Sequence, residues 1–124
     1  MGQLSLPDRF VLSLWCLGFA VGTSTHLMDI FSRGIFAYTY APFWMNAFWT
    51  SLTLLDPLVV ALLLLVRRAG IVLGGMVMVA DLAINTYAGT LPAMAPGSYQ
   101  FVLQWIFGLF VFATAGRLWP APRS

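Results

Sequence analysis

Apolar residues run along this chain in four long stretches, broken by short clusters of Pro, Gly, Ser and Arg rather than by regularly alternating polar positions. An apolar run of about 20 residues predicts a helix that crosses a bilayer, because a helix rises about 1.5 Å per residue through a hydrocarbon layer about 30 Å thick. Cutting at the natural punctuation gives helices over 10–31, 43–66, 70–87 and 99–118. Leu6-Pro7-Asp8-Arg9 opens the first with a proline and an acid in favoured N-terminal places, Ser32-Arg33-Gly34 closes it, and Ala41-Pro42 starts the second. Arg67-Arg68-Ala69-Gly70 reads as a tight turn between the second and third helices, and the proline-containing stretch 91–98 as a loop. The expected fold is all-α: one domain over 1–124, a short-looped four-helix transmembrane bundle.

Composition agrees with a lipid solvent. With 60% hydrophobic and 8% charged residues, the chain has too few charges to coat a water-soluble domain of 124 residues. Its net charge of +2 comes from six arginines against four aspartates, with no Lys and no Glu, which is not a nucleic-acid-binding stripe. Cys16 is the only cysteine, which excludes an internal disulfide and a multi-cysteine metal site. Arg9, Arg67, Arg68, Arg117 and Arg123 fall on one side of the four-pass layout and Arg33 on the other, so the positive-inside rule puts both termini in the cytoplasm. A bacterial inner membrane is the expected location. Tyr38, Tyr40, Trp44, Tyr87 and Tyr99 then form the aromatic belt of the far interface, and Trp119 marks the near one. The alternative for the first helix is a cleaved signal peptide, with Arg9 as its n-region.

Ionisable groups inside a span cost several kcal/mol on translocon scales of ~2.5–3.5 kcal/mol, and face a protein interior or a wet cavity. Here they are His26, Asp29, Asp56 and Asp81. Asp56 is eleven positions before Arg67, Asp81 eleven after Gly70 and Gln104 thirteen before Arg117. All three therefore sit roughly 16 to 20 Å deep, near the midplane. His26, Asp29 and Asn85 come out nearer the other leaflet. The spacings His26/Asp29, Thr53/Asp56 with Trp49 a turn earlier, Asp81/Asn85, and Gln104 with Gln100 and Gly108 give each helix one polar stripe. Phe101, Trp105 and Phe107 are left for lipid or a pocket wall. Pro57 removes a ladder hydrogen bond at the carbonyl of Thr53, and the second helix is expected to kink beside Asp56 unless Thr50, Ser51 and Thr53 satisfy the freed carbonyls.

Two readings of the acids follow. In the structural one, His26 pairs with Asp29, and Asp56 or Asp81 bonds to Asn85 or Gln104 to fix helix register. In the functional one, the surplus of three acids over one histidine, with no Arg or Lys at depth, lines a pocket for a cationic or proton-accepting ligand. A metal held by His26, Asp29, Asp56 and Asp81 lacks any HxxxH or ExxH spacing, so no metal and no cofactor is expected. Cys16, Met76 and Met78 read as packing, and Gly18/Gly22 as a helix-packing pair.

His26-Leu27-Met28-Asp29, then Phe48-Trp49-Thr50-Ser51-Leu52 leading to Asp56-Pro57, and a short basic turn before helix three resemble the four-helix EXPERA superfamily, whose members include the emopamil-binding sterol isomerase and the sigma-2 receptor. The resemblance implies that Asp29 and Asp56 line a ligand cavity closed within the membrane. The chain departs from that pattern in its shorter length, in Asp rather than Glu in helix two, and in Asp81 and Asn85 in helix three. Those departures point to an apolar-ligand pocket more than to sterol isomerisation.

The leading expectation is therefore a protein that binds an apolar sterol- or isoprenoid-like ligand. In an isomerase-type reaction without a cofactor, His26, Asp29 and Asp56 would be catalytic, and Trp49, Thr53, Asp81, Asn85, Gln104 and Trp105 would bind the ligand. Expected partners are membrane lipid and that ligand, with no nucleic acid. The alternatives are an accessory subunit of a larger membrane complex, and a proton- or cation-coupled transporter acting as a homo-oligomer.

Overall fold

The computed structural model describes residues 4–90 and 99–120, the side chains at 99 and 100 excepted. The expected loop over 91–98, Arg123, and the side chains of Tyr99 and Gln100 lie outside the described residues. Four helices are described: α1 (Leu6–Arg33), α2 (Phe43–Leu65), α3 (Arg67–Ala88) and α4 (Tyr99–Leu118). Each is long and apolar enough to cross a membrane. The protein is a multi-pass integral membrane protein with an all-α, four-helix architecture. The helices form a ring in which α1 packs on α2, α2 on α3, α3 on α4 and α4 back on α1, while among the described residues the diagonal pair α1 and α3 meets through side chains, Trp15 and Phe19 lying against Gly74. The seam between α1 and α4 is the smallest.

The ends follow local chemistry. Ser5 caps α1 by accepting a hydrogen bond from the backbone of Asp8, Pro7 sits in the first turn, and Gly34 takes φ 86° just past the C-terminus, where a side chain is strained. One expectation is corrected at the α2–α3 junction. Arg67 and Arg68 are not a turn but the first turn of α3, and the reversal rests on Val66 (φ −138°, ψ 78°). The physical reason lies across the bundle: Arg67 Nε donates to the carbonyl of Leu118 at 2.8 Å and Arg68 Nη2 to that of Pro120 at 3.3 Å. The two cations therefore serve the electronegative end of α4, where helix carbonyls lack internal partners. Arg68 also lies over the ring of Trp119, 5.5 Å from its centroid.

Glycines set how closely the helices approach. A Cβ on Gly70 would collide with the backbone of Leu63, and one on Gly74 would press Trp15 and Val59. Gly18 lies beneath the ring of Phe107, while Gly22 lies against Asp56. The Gly18/Gly22 pair is thus occupied inside the bundle by two different helices, and is not an open face for a partner helix. The half of the interior near Arg67 is apolar, with Trp15, Val59, Leu63, Ile71, Val111 and Leu118 buried. Its polar contact is Trp15 Nε1 donating to Thr114 Oγ1 at 2.8 Å, which ties α1 to α4. At the rim, Arg117 Nε pairs with Asp8 Oδ1 at 2.9 Å.

Candidate functional site

The intramembrane polar residues gather in the other half of the bundle, in three groups of different character. The first is a closed network between α2, α3 and α4. Trp49 Nε1 donates to Asn85 Oδ1 at 2.6 Å, Asn85 Nδ2 to Asp81 Oδ1 at 3.1 Å and to Gln104 Oε1 at 2.8 Å, and Gln104 Nε2 to Asp81 Oδ2 at 2.6 Å. Both carboxyl oxygens of Asp81 are thereby held by amide donors. The spacing-based convergence of Trp49, Asp81, Asn85 and Gln104 is what the helices deliver.

The second group closes the bundle at the Arg33 end. Tyr38, in the connection after α1, is 8% exposed. Its Oη donates to Asp29 Oδ2 at 2.6 Å and lies 2.8 Å from His26 Nδ1. His26 and Asp29 thus meet through a tyrosine and not directly, which corrects the expected pairing. The loop is pinned by Asn46 of α2, whose Oδ1 accepts from the Tyr38 backbone at 3.1 Å and whose Nδ2 donates to the Phe36 carbonyl at 3.1 Å. Phe36 is in the left-handed region (φ 59°), a strained place for an aromatic residue that these contacts hold. The Tyr38 ring packs edge-on against Trp49, centroids 5.3 Å apart. Burial first, and then the bond to Asp29, push the Tyr38 phenol well above its ordinary range, so it stays protonated as a donor. Burial likewise raises Tyr40. Tyr38 therefore does not belong to the aromatic belt, where Tyr40, Trp44 and Tyr87 are exposed.

The third group is buried but lacks hydrogen-bond partners among the described residues. Asp56 is only 6% exposed, yet its carboxyl has no hydrogen-bond partner among the described residues. One turn away, Thr53 Oγ1 is buried and has no partner either. Gly22 of α1 makes room for this carboxyl, since a Cβ there would lie 2.5 Å from Asp56 Oδ2. Asp81 is within Coulombic reach. Among the described residues no hydroxyl caps the Thr53 carbonyl freed by Pro57: Ser51 Oγ donates to Phe48 O at 2.6 Å and Thr50 Oγ1 to Asn46 Oδ1 at 3.5 Å. The chain nonetheless stays helical across Pro57.

No family model, curated protein or solved structure matches the chain.

Chemically, the arrangement places an acid and a hydroxyl that lack partners among the described residues one turn below a histidine joined through a tyrosine to an acid. Among the described residues no group of three His, Cys, Asp or Glu gathers to hold a metal ion. Trp105, expected as a ligand contact, is 37% exposed and donates to Thr86 Oγ1 at 3.2 Å on the outside of the α3–α4 pair. Phe107 packs on Phe19, centroids 5.5 Å apart. Tyr38 and Asn46 were missed by the sequence reading. The available signal was Asn46 itself, a polar residue one turn into an apolar span and eight positions from Tyr38.

Proposed function

We propose that this protein binds an apolar, sterol- or isoprenoid-like molecule through a cationic or proton-accepting centre set against Asp56, with Thr53 as the neighbouring polar contact. The observation that carries this reading is the unpartnered state of Asp56 and Thr53 in an interior whose other acids, Asp29 and Asp81, have donors. Taking an ionised carboxylate out of water without a partner costs several kcal/mol, of order ~3–5 kcal/mol where one partner of a buried pair is removed. A proton or a cationic group brought by the ligand offsets that cost. The EXPERA resemblance, which gives Asp29 and Asp56 ligand-facing roles, supports the same reading. Where the ligand carries a labile carbon-bound hydrogen, Asp56 and His26 would exchange its proton in an isomerase-type reaction needing no cofactor.

The arginine distribution supports an orientation with both termini cytoplasmic, so that the Tyr38 cap faces outward, and the membrane proposed is a bacterial inner membrane. The transporter alternative has less support, because among the described residues the interior toward Arg67 holds no buried charged side chain and is apolar apart from the Trp15–Thr114 bond. The subunit alternative has less support as well, because Gly18 and Gly22, a pair suited to packing a partner helix, already lie against Phe107 and Asp56.

The test is thermal unfolding of the purified protein, wild type and Asp56→Asn, with a panel of sterols, isoprenoids and amphiphilic amines. A compound that raises the wild-type midpoint and leaves Asp56→Asn unmoved supports the site; no shift from any compound argues against it. Incubating a binding compound in D2O separates enzyme from binder, since only turnover places solvent deuterium on its carbon skeleton.

A further inference from the structure

Tyr38 has a single hydroxyl proton, and at 2.6 Å that proton is directed to Asp29 Oδ2. The 2.8 Å contact with His26 Nδ1 therefore needs its proton from the histidine, because two acceptors cannot share a hydrogen bond. A neutral His26 in this setting carries its proton on Nδ1 and leaves a lone pair on Nε2, for which no partner is found among the described residues. This is the less common tautomer of a free imidazole, so it takes an outside group to hold it.

The position of His26 gives that lone pair a use. Gly22, which abuts Asp56, is four residues before His26 on α1, and Thr53 is four residues after Trp49 on α2. Residues four apart stack on one helix face about 6 Å apart. The His26–Tyr38–Trp49 layer thus lies one turn above the Gly22–Thr53–Asp56 layer, on the same faces of α1 and α2.

We propose that Tyr38 is a positioning residue that fixes His26 as its Nδ1–H tautomer, and that His26 Nε2 is the proton acceptor of the Asp56 site. The proposal rests on the ligand site described above for the identity of the proton donor, a protonated amine or an acidified C–H of the bound molecule. The step balances without a further reactant. The donor bond to hydrogen breaks, its electron pair stays on the ligand, and the proton bonds to Nε2. The resulting imidazolium keeps its Nδ1–H on the Tyr38 oxygen, whose own O–H points to the Asp29 carboxylate, so positive and negative charge face each other across the phenol. Return of the proton from Nε2 to the same or a neighbouring position completes binding or isomerisation with no net change in the protein.

The experiment exploits His26 being the only histidine. Protein labelled with 15N-histidine in lipid nanodiscs, held at about pH 8 so that the imidazole is neutral, gives two ring-nitrogen signals that report the tautomer directly. The expected result is protonated Nδ1 and bare Nε2 in wild type, reversal to protonated Nε2 in Tyr38→Phe, and no change in Tyr40→Phe. Asp29→Leu provides a second variant: freed from Asp29, the Tyr38 proton turns to Nδ1 and the histidine again reverses. A wild type with protonated Nε2 overturns the proposal, as does Nδ1–H surviving in Tyr38→Phe or in Asp29→Leu. No compound is added in this measurement. Failure of the ligand panel and failure of the tautomer assignment are therefore separate outcomes.

Discussion

Asp56 and Asp81 lie within Coulombic reach of each other on neighbouring helices, and their company decides what each substitution does. Asp81 accepts from Gln104 and Asn85, so Asp81→Asn sets an NH2 group against amide donors. We expect a loss of about 1–3 kcal/mol in unfolding free energy, read by denaturation in mild detergent. Asp56→Asn removes no hydrogen bond among the described residues, and its midpoint is expected to stay level or rise. The glycines make a parallel contrast. Gly22→Ala meets only the far end of the Asp56 side chain, so it folds with a near-native midpoint but turns the carboxyl aside and abolishes stabilisation by any bound compound. Gly70→Ala meets the Leu63 backbone and should cost about 1–3 kcal/mol or more. The meeting of Asp81, Asn85 and Gln104 was legible in the sequence because depth and facing follow from a fixed helical rise. That Asp56 lacks a partner was not legible, since it depends on which neighbouring atoms fail to reach it.

Among the elements, the connection over 34–42 departs furthest from its expectation. Helical spans announce themselves through length and apolarity, whereas a nine-residue loop has no periodicity to reveal that Tyr38 turns inward. Asn46 makes that turn possible by bonding both the Tyr38 amide and the Phe36 carbonyl. Asn46→Ala is expected to speed amide exchange at Tyr38 by about tenfold, the equivalent of losing roughly 1.4 kcal/mol of local hydrogen bonding. Amides within the buried part of α3, such as Val77, should exchange as in wild type. Unchanged exchange at Tyr38 would show that the loop is held by its aromatic packing instead. The α2–α3 junction was misread for a related reason: Arg67 and Arg68 look like a surface turn until the carbonyls at the end of α4 are seen to need donors.

Across the whole molecule, polar side chains occupy the half of the interior near Arg33 and apolar ones the half near Arg67. In the proposed orientation, with the arginine-rich ends cytoplasmic, the polar half lies toward the outside beneath the Tyr38 cap. In a Cys16→Ser background, a membrane-impermeant thiol reagent applied to intact cells should label Ile35→Cys and spare Val66→Cys, both exposed positions at opposite ends. The reverse pattern would invert the topology while leaving the site's chemistry intact. The single-residue reversal at Val66 carries a consequence for how the chain is made. With no slack between them, α2 and α3 are expected to leave the insertion machinery as one hairpin, and in the proposed orientation its arginine tip stays at the surface where synthesis takes place. Lengthening that junction would therefore disturb biogenesis before it disturbed the finished site.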